Sequence, residues 1–376
     1  MSSGGLVHSA DEVVSDDVES ICRRLSDEFS TMAGSRLLIT GGAGFLGYYL
    51  VHAIHHHNGN SIEAEQISLT VFDNYVRGVP GWTKQLDGES GIRFVTYDLA
   101  SPLGEDIGDF EYIIHAASIA SPNYYRQRPI ETMDSNVNGL RALLGHFQRQ
   151  QTDGKPVGGF LFMSSSEIYG DPAPECIPTP EDYRGFVSCT GPRACYDEAK
   201  RYGETLCVNF AQQYGLPIRA ARPFNNFGPG LKITDRRVLP DFARDIFAEK
   251  DITILSDGTP MRTFCYVADA VVGYYKALVR GGAGEAYNIG TESPEISIAD
   301  LAHKMADIAS ELFGYEGSVV LGRTNDPDYL RDNPNRRCPD LSKARSELGY
   351  KPVVTLEEGL RRLLVWYAAN CGGDDA

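Results

Sequence analysis

Positive charge, long hydrophobic runs and paired cysteines are all scarce or missing in this chain. Lysine and arginine total 35 against 51 acidic residues, giving a formal net charge of −16. No broad positive field is therefore available to displace counterions from a phosphate backbone, which excludes a general nucleic-acid binder. An anionic small ligand stays possible, because a few arginines inside a cleft dominate locally. No stretch approaches the roughly 18 apolar residues that a membrane span needs. The first residues are polar and acidic, unlike a secretory signal. The eight cysteines (Cys22, Cys176, Cys189, Cys195, Cys207, Cys265, Cys338 and Cys371) form no Cys-x-x-Cys pair and no metal-ligand spacing. A reducing, cytoplasmic setting with free thiols and no bound metal is the expectation. Internal repeats and low-complexity tracts are also lacking.

What is present is a chain of 376 residues, 42% hydrophobic, enough for one large α/β domain with an attached lobe. Residues 1–33 form an acidic leader in which Val14, Val18, Ile21 and Leu25 have helical spacing between Asp11 and Phe29. From Arg36 the pattern changes. Apolar runs at 37–40, 68–72, 92–96, 112–114, 159–163 and 218–221 read as strands buried on both faces. Helix-compatible segments, notably 45–57, 131–150 and 196–214, lie between them. That alternation predicts a Rossmann-type, doubly wound parallel sheet. After Arg222 the chain is richer in proline, glycine and charge, which suits a smaller C-terminal substrate-binding lobe over the sheet's carboxyl edge. The expected division is a leader over 1–33, a dinucleotide-binding domain over 34–223 and a lobe built from 224–260 and 291–376. Residues 261–290 are expected to return to the first domain.

The segment 37–47 reads as strand, glycine turn and helix start. Gly41 permits the turn, Gly44 lets backbone approach a pyrophosphate, and Gly47 allows close helix–strand packing, with Phe45 and Leu46 opening the helix. The second strand ends in Asp73-Asn74, where an acid would hold the adenosine ribose and favour NAD over NADP, although Arg77 stands near. Asp98-Leu99 ends the third strand, and His115-Ala116-Ala117-Ser118 ends the fourth, with small residues that let a cofactor lie close. His115 itself reads as a hydrogen-bonded core histidine.

Tyr196 and Lys200 are spaced i, i+4 in a helical segment and share a face. An ammonium beside a phenol lowers its pKa, which prepares Tyr196 as a general base. Ser164-Ser165-Ser166-Glu167 ends the fifth strand, completing a hydroxyl–tyrosine–lysine set for removing a hydride and a proton from an alcohol. Cys195 beside it could be a nucleophile, but no histidine stands near it in sequence and this chemistry needs no thiol.

These motifs resemble the extended short-chain dehydrogenase/reductase superfamily. Within it, the run 191–200 (Gly-Pro-Arg-Ala-Cys-Tyr-Asp-Glu-Ala-Lys) is similar to the UDP-glucuronate decarboxylase (UDP-xylose synthase) family. So are Ser121-Pro122, Tyr125, Phe224-Asn225, Phe227-Gly228-Pro229, Arg237-Val238 and the Arg262-x-Phe264-x-Tyr266-Val267-x-Asp269 segment. The similarity spans about 36 to 368. The resemblance implies NAD as cofactor and a nucleotide sugar, UDP-glucuronate, as substrate. It implies that Ser165, where the family usually has Thr, and Tyr196 engage the sugar's 4-hydroxyl, and that Lys200 binds the nicotinamide ribose. Glu167 and Ser166 would sit at the C5–C6 end, and Arg262 would bind the carboxylate or supply a proton to C5. Tyr125, Asn225, Arg237 and Tyr266 are the other substrate contacts it implies.

Related 4,6-dehydratases usually place Asp before Glu where this chain has Ser166, and 4-epimerases usually lack a carboxylate at the Glu167 position. Both stay open as alternatives, as does a catalytically silent NAD-sensing or scaffold protein. Two more departures from the family are Asn226, where Thr is frequent, and a long stretch over 326–337 whose arginines could clamp a diphosphate. Helices over 131–150 and 196–214 carry Val137, Leu140, Leu143, Leu144, Phe147, Leu206, Val208 and Phe210 on more than one face. Such helices commonly pair across a dimer in the superfamily, so a homodimer is expected.

Overall fold

A computed structural model describes residues 9–104, 107–324, 326, 328 and 331–370. Cys371, the first eight leader residues, and positions 327, 329 and 330 of the 326–337 stretch lie outside the described residues. The centre is a seven-stranded parallel sheet. It consists of β1 (Arg36–Thr40), β2 (Ser68–Asp73), β3 (Ile92–Thr96), β4 (Tyr112–His115), β5 (Gly159–Met163), β6 (Ile218–Pro223) and an edge strand, Ala286–Ile289. From that edge the order runs through β6, β5, β4, β1 and β2 to β3. The direction of winding reverses between β1 and β4, and a crevice opens beyond the carboxyl ends of those two strands. The strands are buried on both faces because helices cover both sides, which is why they read as continuous apolar runs rather than alternations.

The leader is part of this body. Helix α1 (Ala10–Arg24) packs against α3 (Phe45–Gly59) and against the helices Val267–Arg280 and Leu356–Asn370, and α2 (Ser26–Met32) packs against Val267–Arg280. Val18, Ile21, Leu25, Phe29 and Met32 enter the same apolar core as the sheet, each contributing roughly 1.5–3 kcal/mol by burial. Polar clasps fix the register. The fully buried Asp17 accepts hydrogen bonds from Tyr49 (2.6 Å), Tyr266 (2.5 Å) and Arg362 (2.5 Å). Burial pushes its pKa up to about 6, with Arg362 opposing. Arg24 donates to Asp269 at 2.6 Å, and Glu28 pairs with Lys276 at 3.0 Å.

The helical stretch expected over 131–150 is interrupted. Pro129–Asp134 and Leu140–Thr152 are α-helical, but Ser135–Gly139 widens into a π-turn. The buried Asn136 there donates to Thr132 O (2.7 Å) and Ser118 Oγ (3.0 Å), tying the turn to the end of β4. Beyond β6, three small sheets build the second lobe among the described residues. One sets Met261–Arg262 between Ile296–Ser297 and Arg336–Arg337, with Arg337 opposite Arg262 in parallel register. Helix Val267–Arg280 and strand Ala286–Ile289 return to the main sheet.

Candidate active site

One cleft of about 1280 Å³ runs from the glycine turn into the second lobe. That exceeds the usual volume of a single small-ligand pocket, so it has room for a dinucleotide and a second ligand. Gly41 follows β1 with φ of 70°, and a Cβ there would stand 2.6 Å from Ala117 Cα. Only glycine lets the ends of β1 and β4 meet so closely. A Cβ on Gly47 would strike the carbonyl of Gly42. Gly44 caps α3 without a side-chain bond, so the first-turn amides lack intrahelical acceptors and lie on the cleft. Asp73 accepts from the amides of Ala43 (3.0 Å) and Tyr75 (2.8 Å), which fixes its carboxylate beside the turn. Gly44, Phe45, Leu46, Asn74, Asp98, Leu99, Ala116 and Ala117 line the same stretch. This cradle of close-approach glycines, uncapped amides and a fixed carboxylate fits NAD. Arg77 does not face a ribose phosphate site at Asp73. It reaches across the cleft to Asp235 at 2.5 Å.

His115 is a core histidine. Its Nδ1 lies 2.8 Å from Thr40 Oγ1, which accepts from Ala117 N at 3.3 Å, and burial pushes its pKa down to about 3. It supports the cofactor edge in neutral form.

The hydroxyl set converges. Ser165 caps the short turn Ser166–Tyr169 at the end of β5, and its Oγ accepts from Glu167 N at 3.2 Å. Tyr196 sits in the first turn of the helix Ala194–Tyr214, hydrogen-bonds Ser165 and stacks on Tyr125 at 5.2 Å with an 11° interplanar angle. One expectation needs correcting here. Lys200 does not make Tyr196 acidic, because its Nζ donates to Met163 O at 2.7 Å and lies 5.6 Å from the Tyr196 ring centroid. Burial dominates both groups, pushing Tyr196 up to about 12 and Lys200 down to about 7. Cys195 is not activated either: burial raises its pKa, and its Sγ rests 3.6 Å from Tyr125 O.

At the far end of the cleft lies a charge cluster. Arg337 donates to both oxygens of Glu167 at 2.6 and 2.7 Å, and Arg193 adds a contact at 2.5 Å. Burial alone would raise the Glu167 pKa, but Arg193 and Arg337 outweigh it and hold the carboxyl well below its usual range. Glu167 is therefore a fixed anion, unsuited to general acid–base work in this arrangement. Arg262 lines the cleft beside Arg337, yet its donors go to Met261 O (2.8 Å), Asn335 O (3.2 Å) and Pro334 O (2.5 Å). Burial and the adjacent Arg337 push its pKa down to about 9. Two guanidinium groups thus hold one firmly ionised carboxylate, and a third stands beside them on the cleft. Asp197 stands behind them, 4.0 Å from Arg193, its pKa raised to about 8 by burial and by Glu167.

The other expected substrate residues divide. Tyr125, Ser166, Asn225 and Arg237 line the cleft. Asn225 adopts φ of 34° and donates to Thr263 O at 3.0 Å, and Arg237 caps the helix Val238–Phe247 while pairing with Asp235. Tyr266 does not belong to the site. It is 1% exposed, points away from the cleft and donates to Asp17 of the leader, because pairing of Cys265–Tyr266 with Asn226–Phe227 turns it toward α1. Of the loop arginines, Arg336 pairs with Glu295 at 2.5 Å and only Arg337 reaches the Glu167 cluster. Sequence reasoning passed over Arg193 and gave Arg337 no role of its own. The first was visible as the residue three before Tyr196; the second had no local signal. Among the described residues there is no cluster of His, Cys, Asp and Glu able to hold a metal, and no helix long and apolar enough to cross a membrane.

Residues 37–290 match the NAD dependent epimerase/dehydratase family. The chain is 36% identical over 326 residues to UDP-glucuronic acid decarboxylase 3 of Arabidopsis thaliana, covering 86% of each protein. It is 35% identical over 333 residues to UDP-glucuronic acid decarboxylase 1 of Xenopus tropicalis, covering 88% of this chain and 72% of that one. Among solved structures, the dTDP-glucose 4,6-dehydratase of Streptomyces venezuelae with NAD bound is similar at a TM-score of 0.75 and 25% identity, over 90% of this chain and 98% of that one. The UDP-glucose 4-epimerase of Thermotoga maritima with UDP-glucose is similar at 0.74 and 25%, over 89% and 99%. With an NAD cradle, a serine–tyrosine–lysine set and an arginine-rich end in one cleft, the chain belongs to the NAD dependent epimerase/dehydratase family, on its UDP-glucuronic acid decarboxylase branch.

Proposed function

We propose that this enzyme converts UDP-glucuronate to UDP-xylose and carbon dioxide through a 4-keto intermediate. The observation that carries the reading is the pairing of Arg193 and Arg337 with Glu167, with Arg262 beside Arg337, in the same cleft as Ser165 and Tyr196. NAD held by the Gly41–Gly47 turn and Asp73 would supply the acceptor for the C4 hydride and the donor that restores it. Tyr196 takes the C4 hydroxyl proton in its phenolate form, which Ser165 favours against the effect of burial. The 4-ketone makes the sugar a β-keto acid, so breaking the C5–C6 bond releases carbon dioxide and leaves its electron pair in an enolate. A proton added at C5 and the returned hydride complete a reaction with no net redox change. The guanidinium groups attract the substrate carboxylate, and Glu167 keeps Arg193 and Arg337 in place. Asn225 and Arg237 serve the rest of the nucleotide sugar. Ser166 disfavours the dehydratase alternative, since a serine does not readily protonate a leaving hydroxyl.

A homodimer is part of this reading, with a narrower basis than the sequence suggested. Leu140, Leu143, Leu144, Phe147 and Leu206 are buried in the subunit's own core. Ile130, Met133 and Tyr202 remain exposed on the paired helices and support a self-contact there. A cytoplasmic setting is the natural one, given free thiols at every described cysteine. The test is the mass of the product formed from UDP-glucuronate. Conversion to a UDP-pentose supports the reading. Loss of water would favour the dehydratase, and an unchanged mass with altered configuration the epimerase.

A further inference from the structure

Asp235 is nearly sealed from solvent, its side chain 2% exposed, yet it serves two arginines from different parts of the molecule. One oxygen accepts from Arg77, on the loop after β2 that begins with Asp73 at the cofactor cradle. The other accepts from Arg237, at the start of the helix Val238–Phe247 on the substrate side. Further stitches join the same two banks. Lys232 Nζ donates to Arg77 O at 3.2 Å, Ser121 Oγ donates to Asp235 O at 3.0 Å, and the Arg77 guanidinium lies 4.6 Å over the Tyr124 ring. Arg77, Asp235 and Arg237 all line the cleft.

One carboxylate shared by two guanidinium groups holds each less firmly than it would hold one alone. We propose that Asp235 is a positioning residue that couples the two ligand sites. A diphosphate on the substrate side draws Arg237 from Asp235. The full carboxylate charge then falls on Arg77 and tightens the loop over the cofactor. Substrate binding would raise the affinity for the cofactor, read as slower release, and by linkage the cofactor would strengthen substrate binding by the same factor. The inference rests on the reading that NAD and a nucleotide diphosphate share this cleft, but not on decarboxylation.

The experiment loads the full-length enzyme with NADH and follows its fluorescence as excess NAD displaces it, with and without saturating UDP. In the wild type UDP should slow release about fivefold or more. Asp235→Asn should abolish the slowing, and so should Arg77→Gln, a milder change at a side chain 34% exposed that keeps the test valid if the first variant misfolds. Slowing that persists in a folded variant would mean that UDP only obstructs the exit, and would overturn the coupling. So would an unchanged rate in wild type when calorimetry shows UDP bound. UDP that fails to bind at all would remove the nucleotide-sugar reading as well, which separates the two failures.

Discussion

At the cofactor edge, Gly41, Gly47, Ala116 and Ala117 work by what their side chains leave out. At the other end of the cleft, Glu167, Arg193, Arg262 and Arg337 work by what theirs bring in. The first region is held by backbone: a positive φ, strand ends too close for a Cβ at Gly41, amides donating to Asp73. The second is held by ion pairs between buried groups, whose desolvation cost is offset only while every partner is present. The cofactor edge should therefore fail on added bulk, whereas the arginine end should fail on loss of a charge.

The largest effect belongs to neither region but to the hydroxyl that serves both. Tyr196→Phe keeps the stacking on Tyr125 and removes the proton acceptor, so turnover should fall by about 10²–10⁴. A variant retaining full activity would remove Tyr196 from the chemistry. Next, Arg337→Gln leaves Glu167 with Arg193 as its remaining ion partner at 2.5 Å. Losing one of two ion partners costs less than the roughly 3–5 kcal/mol of leaving a buried charge unpaired, and carbon dioxide release should fall more than NAD binding, which equilibrium titration can compare. Equal losses in both would erase the proposed division. Gly41→Ala should show the opposite pattern, with NAD affinity reduced about tenfold or more by the clash with Ala117. Preserved UDP binding in that variant would mark the defect as local to the cofactor edge.

An effect outside both regions lies in the leader. Asp17 has a folded-state pKa raised from 3.8 to about 6, so its stabilising contribution is complete below the unfolded value and is lost as pH rises through about 6. Asp17→Asn should flatten the stability–pH curve between about 4 and 7, by up to about 3 kcal/mol relative to wild type in urea unfolding. Parallel curves for the two proteins would show that Asp17 titrates normally.

The same contrast explains what could be read from the residues alone. The cofactor edge was legible because its parts are adjacent in sequence: strand end, turn glycines, helix start, and an acid at the end of the next strand. Tyr196 and Lys200 were legible as one turn of helix, though not their environment, since burial by the surrounding elements sets both pKa values. Arg337 with Glu167, Tyr266 with Asp17 and Arg77 with Asp235 are 170, 249 and 158 residues apart. Only the chain's path through the second lobe brings them together. Tyr266 shows the hazard of transferring a motif whole: pairing with Asn226–Phe227, far back in sequence, decided which side of the lobe it faces.

The most direct measurement uses UDP-glucuronate labelled at the carboxyl carbon with NAD-loaded enzyme. The expected result is label in carbon dioxide in a one-to-one ratio with the UDP-pentose formed, and no net accumulation of NADH. Label retained in the nucleotide sugar, with UDP binding and NAD occupancy verified in the same sample, would contradict decarboxylation at the arginine end of this cleft.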